Sequence, residues 1–188
     1  NLKGGAGVAE IGLAQPADVP VLCEIERKAG DLFRTHPQTA LLKPSMTPLS
    51  AFIRAQQAGM LWVARSGAGP VGFALVEDFG TSFHLDELDV APEHGRQGIG
   101  RALVRTVCEV ATARERVVTL CTFRDVPWNA PFYERLGFVR LSRDDLAPAL
   151  QERVRQEAQR GLPPEIRVAM QFNGRRRPAT SRAAAVVT

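Results

Sequence analysis

The chain lacks the sequence features of several protein classes. It has three cysteines among 188 residues, far apart and without a CxxC pair, so we expect neither a disulfide framework nor a zinc site. No apolar run approaches the ~20 residues needed to cross a bilayer, and the first residues lack the apolar segment of a signal peptide. These absences predict a cytoplasmic protein with reduced cysteines, no metal and no membrane contact.

Length and composition indicate one ordinary globular domain. A chain of 188 residues fits the usual size of about 100–200 residues per domain. Hydrophobic residues make up 45% and charged residues 23%, which excludes disorder of the whole chain.

Positive charge is concentrated near the C-terminal end. The chain carries 24 Lys and Arg against 20 acids, and four of the arginines lie in residues 173–188, which contain no acid. We predict that this segment is a disordered, solvated basic tail and that residues 1–7 are a flexible N-terminus. A basic tail can contact nucleic acid, but this feature alone does not lead us to expect nucleic acid as a partner.

The order of predicted elements indicates an α+β domain over residues 8–172. Turn residues and apolar periodicity predict the order β-α-α-β-β-β-α-β-α-β-α-β. The clearest elements are an amphipathic helix at 99–114 and a strand rich in Val, Thr and Leu at 117–123. Strands and helices in this order predict a mixed sheet covered by helices.

The fourth predicted strand changes the side on which its apolar residues fall. Phe83 and Leu85 share one parity, whereas Leu88 and Val90 share the other. Because successive side chains of a strand alternate between its faces, this slip predicts a β-bulge at residues 86–87.

A loop dense in glycine and arginine follows this strand, at residues 91–101. Glycine allows close approach of the backbone to a ligand, and free N–H groups at a helix start attract negative charge, as do Arg96 and Arg101. The loop is not a Walker A motif, because no Lys-Ser/Thr pair follows Gly100. It is not GxGxxG either, because Leu103 stands at the last glycine position. We predict a pyrophosphate site, with a plain tight turn as the alternative.

Two segments of the chain resemble the signatures of one known family. Residues 90–103 and residues 128–138 are similar to the two signature segments of the Gcn5-related N-acetyltransferase (GNAT) superfamily, in its small, single-domain bacterial type. The resemblance implies an α-β-α layered fold with a mixed, mostly antiparallel sheet, a splayed central strand pair and flanking helices. It also implies acetyl-CoA as the acyl donor.

The phosphate loop departs from the family pattern at one position. GNAT loops usually have Gln/Arg-x-x-Gly-x-Gly/Ala, and alignment on Gly98 and Gly100 places Gly95 where Gln or Arg stands. A register that begins at Gln97 fits the pattern instead. The departure affects one side-chain contact, because the backbone N–H groups of residues 96–101 are the expected phosphate donors.

The resemblance implies a set of cofactor-binding residues. The strand after the bulge would line the pantetheine arm with its backbone, and the Val90 N–H would polarise the acetyl carbonyl. Asn129 would contact the same arm, with a helix N-cap as its alternative role. The implied residues are Leu88, Asp89, Val90, Arg96, Gln97, Gly98, Ile99, Gly100, Arg101, Asn129 and Tyr133.

Catalysis would need an acid for the leaving thiolate and a base for the amine. By resemblance Tyr133, the only tyrosine, would protonate the coenzyme A thiolate; a core aromatic is the alternative. His84 and Asp86 lie two apart on one strand, at places where related small-amine acetyltransferases carry basic or acidic groups, and a histidine can titrate near neutrality, as a general base or water relay needs. Glu87 is the base if the bulge comes earlier, and a solvated strand face is the remaining alternative.

The sequence therefore predicts an acetyltransferase whose acceptor is open. Acetyl would pass from acetyl-CoA directly to a primary amine, either a small molecule or a peptide or protein amino group. The alternative is a non-catalytic regulatory module that binds acyl-CoA. A monomer and a homodimer both fit the sequence.

Overall fold

The computed structural model describes residues 9–37, 39–42, 46–67 and 69–174. These residues form seven strands and five α-helices in the predicted order. The strands are β1 (Glu10–Leu13), β2 (Leu61–Ser66), β3 (Gly69–Asp78), β4 (Ser82–Val90), β5 (Val117–Phe123), β6 (Phe138–Arg140) and β7 (Arg167–Phe172). The helices are α1 (Val19–Gly30), α2 (Leu49–Gln57), α3 (Ile99–Ala113), α4 (Ala130–Arg135) and α5 (Pro148–Gln159).

The strands form one mixed sheet in the order β1-β2-β3-β4-β5-β7-β6. β4 and β5 are parallel because α3 crosses from the end of one to the start of the other, and all other neighbouring strands are antiparallel. The predicted α+β fold is thereby confirmed. None of the helices in the described ranges is long and apolar enough to span a membrane.

Helices cover both faces of the sheet. Phe52 of α2 packs on Phe73 of β3 with ring centroids 5.3 Å apart, and Phe73 is opposite Asp89 in the β3–β4 register. Gly100, at the start of α3, lies beside Val90, the next residue along β4. Since neighbouring residues of a strand point to opposite faces, α2 and α3 lie on opposite sides. This arrangement confirms the predicted α-β-α layers.

The cysteines belong to the packed interior rather than to a reactive site. Cys108 is buried, Cys121 is partly buried, and all three cysteines are free thiols. Burial raises the pKa of both Cys108 and Cys121 to about 12, so these thiols stay protonated.

β4 contains the predicted bulge and then separates from β5. Leu75 of β3 is opposite Glu87, and the next residue, Val76, is opposite Leu85. Asp86 is therefore an extra residue in the ladder. β4 pairs with β5 only through residues 82–85. Beyond the bulge a slot remains between the two strands, which is the splayed central pair that the resemblance implies.

The ends of the chain bear on the predicted domain limits. Asn173, the first residue of the predicted tail, still donates its N–H to the carbonyl of Gly137 at 3.1 Å. The predicted flexible N-terminus and the arginines of the predicted tail lie outside the described residues. The domain limits 8–172 stay a prediction.

Candidate active site

The loop between β4 and α3 presents a row of free backbone N–H groups. Within the described chain, the N–H groups of residues 96–101 donate to no protein acceptor, and the first bond into α3 runs from the N–H of Ala102 to the carbonyl of Gly98 at 3.0 Å. Arg96 and Gly98 have φ angles of 58° and 82°, and left-handed residues of this kind form the backbone concavities that bind anions. The loop is therefore equipped as an anion site at a helix N-terminus.

Basic and polar side chains flank this row. The guanidinium of Arg101 lies 3.3 Å from the position that a Cβ on Gly98 would take, so it folds back over the loop. Arg96 and Gln97 are exposed beside it, whereas Ile99 is buried and anchors the start of α3. The loop thus adds positive charge to its free N–H groups.

Gly100 has a packing role that the sequence did not indicate. A Cβ at this position would lie 3.7 Å from Phe132 and Val90 and 3.9 Å from Leu88. Gly100 therefore faces α4 and β4, and only its N–H is available to a phosphate. A large side chain at this position would displace the packed neighbours.

An unsatisfied polar atom lies next to β5, beyond the residues that pair with β4. Asn129 donates from Nδ2 to Oγ1 of Thr122 on β5 at 2.7 Å, while its Oδ1 is buried without a hydrogen-bond partner among the described residues. Asn129 is the N-cap residue of α4, as the alternative predicted, but its side chain makes no capping bond. A buried oxygen without a donor is costly unless a ligand satisfies it. The amide N–H groups of a pantetheine arm are such donors, so this oxygen fits the arm of an acyl-CoA.

The backbone of β4 after the bulge borders this slot. Leu88, Asp89 and Val90 are half-buried and pair with β3 along one edge. Their other edge has no strand partner, because pairing with β5 ends at Leu85. The three residues predicted to line the arm therefore stand at a free strand edge. They lie next to the loop of residues 91–101, called the anion loop below.

Tyr133 is held by aromatic neighbours. Its side chain is buried, and its ring meets Phe132 and Phe138 edge-on, with centroids 5.0 and 5.6 Å away. Its hydroxyl makes no hydrogen bond with any described residue. Burial, followed by the charges of Asp89 and Glu87, raises the pKa of Tyr133, so the phenol keeps its proton at neutral pH. The ring packs as a core aromatic while the hydroxyl stays available as a donor.

His84 lies in the paired half of β4, before the slot. It is 1% exposed, its Nδ1 is 3.1 Å from Oγ1 of Thr119, and its ring stacks on Phe79 at 5.0 Å. Burial, with added effects of Arg153 and Arg167, lowers the pKa of His84 to about 3. The imidazole is therefore neutral at physiological pH, and the alternative of a solvated strand face is wrong for this residue.

Asp86, the extra residue of the bulge, is engaged in an ion pair. Its Oδ1 accepts from Nη1 of Arg153 at 2.8 Å, and the same guanidinium pairs with Glu77 of β3. Burial raises the pKa of Asp86, while Arg153 acts in the opposite direction. The described contacts include no hydrogen bond between Asp86 and His84, so the two predicted residues are not joined as a relay.

Glu87 and Asp89 lie on the α2 side of the sheet with Glu26 of α1. Both β4 residues are opposite β3 residues on the face that carries Phe73. Glu26 is buried, and its Oε1 accepts the Thr47 N–H at 2.8 Å. Burial is the main cause that raises the pKa of all three carboxyls, and neighbouring acids add to it.

Sequence reasoning missed two residues of this region. Glu26 carried a signal, because it shares helical spacing with Leu22 and Ala29 and so places an acid on the buried face of α1. Arg153 carried none, because its partners stand 67 and 76 positions earlier in the chain.

Three side chains, including His84, lie close enough together to hold a metal ion. His84, Cys121 and Glu157 have ligand atoms within 4.8 Å of one another. Glu157 already pairs with Arg167 at 2.9 Å, and the thiol of Cys121 is held protonated. A cation would have to displace that guanidinium, so we assign this cluster to the packing of α5 on the sheet.

The family of the chain follows from these features together with a family match. Residues 57–140, from the end of α2 through β6, match the family model described as an acetyltransferase (GNAT) domain. This stretch contains the anion loop, the slot and Tyr133. The match covers a little less than half of the chain and supports a member of the GNAT superfamily. The resemblance of its two segments is thereby confirmed.

Solved structures share this GNAT fold. The N-acetylglutamate synthase from Neisseria gonorrhoeae, complexed with coenzyme A and N-acetyl-glutamate, matches with a TM-score of 0.65 at 12% identity over 89% of this chain and 35% of that one. The ribosomal-protein-S18-alanine N-acetyltransferase from Escherichia coli matches with a TM-score of 0.61 at 18% identity over 87% of this chain and 92% of that one. The PaiA N-acetyltransferase from Thermoplasma acidophilum, in complex with coenzyme A, has a TM-score of 0.61 at 15% identity over 87% and 98%. This chain thus spans about a third of the synthase.

Proposed function

We propose that this GNAT protein transfers acetyl from acetyl-CoA directly to a primary amine. The observation that carries the proposal is the row of free N–H groups of residues 96–101 beside the open β4–β5 slot. A pyrophosphate needs such donors, and the arm that carries the acetyl group needs such a slot. The coenzyme A in the synthase and PaiA structures supports the same donor here.

Each part of the site would hold one part of the donor. The free N–H groups, with Arg96 and Arg101, would hold the pyrophosphate. The free edge of β4 and Oδ1 of Asn129 would orient the arm, and the Val90 N–H would donate to the acetyl oxygen. Acetyl-CoA supplies the acetyl group activated as a thioester.

Tyr133 would give its proton to the coenzyme A sulfur. Its hydroxyl has no partner among the described residues, and its raised pKa keeps the proton in place until a thiolate forms. The new N–C bond forms from the nitrogen lone pair as the C–S bond breaks. An ammonium acceptor loses two protons overall: one is released to solvent, and the other restores the Tyr133 phenol.

Of the three predicted bases, Glu87 suits the removal of the amine proton best. It is half-buried and forms no ion pair in the described ranges, and its raised pKa gives it a greater proton affinity than an exposed carboxyl. Asp86 shares its charge with Arg153, and His84 is shielded from substrate with a pKa of about 3. We therefore assign the base to the Glu87 carboxylate.

A non-catalytic module that binds acyl-CoA is the alternative function. Such a module needs the anion loop and the slot but neither a free phenol nor an unpaired carboxylate beside them. The hydroxyl of Tyr133 and the carboxylate of Glu87 therefore favour the enzyme.

The test measures binding and turnover separately. Calorimetry is expected to show that Arg96→Gln/Arg101→Gln weakens acetyl-CoA binding by ~10-fold, or about 1.4 kcal/mol. Arg54→Gln, which changes an exposed arginine of α2, is the matched control and should bind like the wild type. Thiol release is then followed with small amines, amino acids and peptides as acceptors. Unchanged affinity in the folded double variant contradicts the donor site, and binding without turnover of any amine favours the regulatory module.

A further inference from the structure

We propose that Arg153 of α5 is a positioning residue that fixes the bulge of β4 and so orients the part of that strand that borders the slot. Its guanidinium holds Asp86 of β4 and Glu77 of β3, and the three residues are called the bulge clamp below. The inference rests on the proposed acetyltransferase function and deepens it by naming a residue on which the geometry of the reaction depends.

The bulge clamp joins the two strands at the bulge itself. Nη1 of Arg153 donates to Oδ1 of Asp86 at 2.8 Å, and Nη2 donates to Oε2 of Glu77. Glu77 is opposite His84 in the regular part of the β3–β4 ladder, whereas Asp86 is the extra residue of the bulge. One guanidinium therefore ties the inserted residue to the regularly paired part of the neighbouring strand.

The guanidinium of Arg153 has little freedom to move. The side chain is 7% exposed, and its guanidinium carbon lies 5.8 Å from the centroid of the Phe79 ring. That ring in turn stacks on His84 at 5.0 Å, with an interplanar angle of 10°. A planar fork with two carboxylate partners and an aromatic neighbour has one preferred orientation. A side chain fixed in this way can fix the residue to which it bonds.

A gain in stability alone explains the bulge clamp poorly. Burial of charges is unfavourable, ion pairing often only offsets it, and apolar residues of similar volume commonly replace buried ion pairs without loss. In addition, Nε of Arg153 is buried without a hydrogen-bond partner among the described residues. An arginine kept in such surroundings points to a geometric role, which here is the choice of one strand register.

The position of the bulge decides which groups of β4 face the slot. Side chains alternate between the two faces of a strand and N–H groups between its two edges, so a slip of one residue reverses both. With Asp86 as the extra residue, Glu87 is opposite Leu75 and lies on the α2 side of the sheet. A bulge displaced beyond Glu87 would turn its carboxylate to the other face. A bulge lost altogether would also turn the Val90 N–H to the other edge.

The inference needs the fork of the arginine and not only its charge. Nη1 and Nη2 serve different carboxylates, whereas a lysine offers one charged nitrogen on a flexible stem. Arg153→Lys therefore keeps the positive charge beside Asp86 but cannot hold both strands in one geometry. Glu77→Ala removes the other arm of the bulge clamp at a side chain that is 43% exposed, so this variant should fold.

The experiment separates donor binding from turnover in these two variants. Acetyl-CoA affinity is measured by calorimetry, and kcat by thiol release with the amine that the wild type uses fastest. We expect kcat to fall ~10-fold or more in Arg153→Lys, and by a smaller factor in Glu77→Ala, because a small misplacement of the reacting groups slows a reaction strongly. Affinity should stay near that of the wild type, because the bulge clamp bonds no residue of the anion loop.

Two control variants change similar side chains outside the bulge clamp. Arg155→Lys alters an exposed arginine of the same helix, and Asp78→Ala alters the acid next to Glu77 on β3. Both should keep the wild-type kcat. Amide hydrogen exchange of residues 86–90, measured without substrates, should be faster in Glu77→Ala than in Asp78→Ala, because the bulge is held less firmly.

A pair of substitutions at Asp86 tests the contact from the side of β4. Asparagine keeps an oxygen that accepts from Nη1 of Arg153, whereas alanine does not. Asp86→Asn should therefore have a kcat ~10-fold above that of Asp86→Ala.

The outcomes separate this inference from the function on which it rests. A wild-type kcat in Arg153→Lys, a loss of acetyl-CoA affinity as large as the loss of kcat, or equal losses in the control variants would overturn the positioning role and leave the acetyltransferase standing. Equal kcat in Asp86→Asn and Asp86→Ala would overturn it as well. Failure of acetyl-CoA to bind the wild-type protein would overturn the proposed function and this role in it together.

Discussion

At the residue scale, Asp86 and Glu87 are adjacent carboxylic acids with different neighbours. The bulge places Asp86 against Arg153, where the guanidinium balances its charge. Glu87 follows on the α2 side, among acids and without a bonded cation among the residues that the structure describes. One carboxylate therefore stabilises the bulge, whereas the other remains able to exchange a proton.

Glu87→Gln should remove the pH dependence of catalysis in the acidic range. In the wild type, log kcat/KM should rise as Glu87 loses its proton, at a midpoint above the ordinary carboxyl pKa of about 4.3, because burial and neighbouring acids raise it. His84→Asn should keep this rise, because the pKa of His84 is about 3 and that residue does not titrate in the assay range. Profiles are measured with acetyl-CoA saturating. Loss of the rise in His84→Asn, with its retention in Glu87→Gln, would show that His84 is the base.

Tyr133→Phe should separate turnover from binding. Phenylalanine keeps the ring contacts with Phe132 and Phe138 and removes only the proton donor. We expect kcat to fall by ~10²-fold, the usual scale of general acid catalysis, with little change in acetyl-CoA affinity. The melting temperature serves as the control for intact packing. A kcat within a few-fold of the wild type would mean that water protonates the thiolate.

At the scale of elements, local pattern predicted most of the fold. The order of twelve elements follows from turn residues and apolar periodicity, which act within a few residues of each position. The bulge could also be predicted from neighbouring residues alone. Apolar side chains stand at odd positions before it (Phe83 and Leu85) and at even positions after it (Leu88 and Val90), so one residue must be extra for all four to face the same side of the sheet.

What the sequence could not predict depends on contacts between distant elements. α5 brings Arg153 to Asp86 and places Glu157 within 4.8 Å of His84. Asn129 stands at the N-cap of α4, but its side chain bonds Thr122 of β5, and no pattern within its own segment predicts that contact. The resemblance predicted the candidate site, and the contacts of α5 with Asp86 and near His84 are why we propose Glu87 as the base.

Arg153→Met should destabilise the protein strongly. The substitution keeps an apolar stem but leaves Asp86 buried without its partner, a change that costs about 3–5 kcal/mol in buried ion pairs. The unfolding free energy is measured by urea titration. The double variant Arg153→Met/Asp86→Asn should recover part of the loss, because it removes the stranded charge. Arg155→Met, at an exposed position of α5, is the control. A small loss in Arg153→Met, equal to that of the control, would show that the pair does not hold the bulge.

At the scale of the whole molecule, β4 lies between a region suited to bind an anion and a region suited to bind a cation. Its C-terminal end leads into the anion loop with Arg96 and Arg101, whereas its α2 side carries Glu87 and Asp89. An anionic donor and a cationic acceptor would thus be drawn to different surfaces of the same strand. They would meet at the slot beyond the bulge, so both substrates can be bound at once.

Simultaneous binding predicts a sequential reaction without an acetylated protein. Initial rates measured over both substrate concentrations should give intersecting reciprocal plots, and acetyl-CoA without an amine should release no burst of thiol. Cys121 lies in β5, directly after the last residue that pairs with β4, but its pKa of about 12 leaves almost no thiolate to attack a thioester. Cys121→Ala should therefore keep kcat within a few-fold of the wild type, with Cys108→Ala as the control for loss of a buried thiol. Parallel plots with a burst that Cys121→Ala abolishes would instead require an acetyl-cysteine intermediate, and the two substrates would then react one after the other.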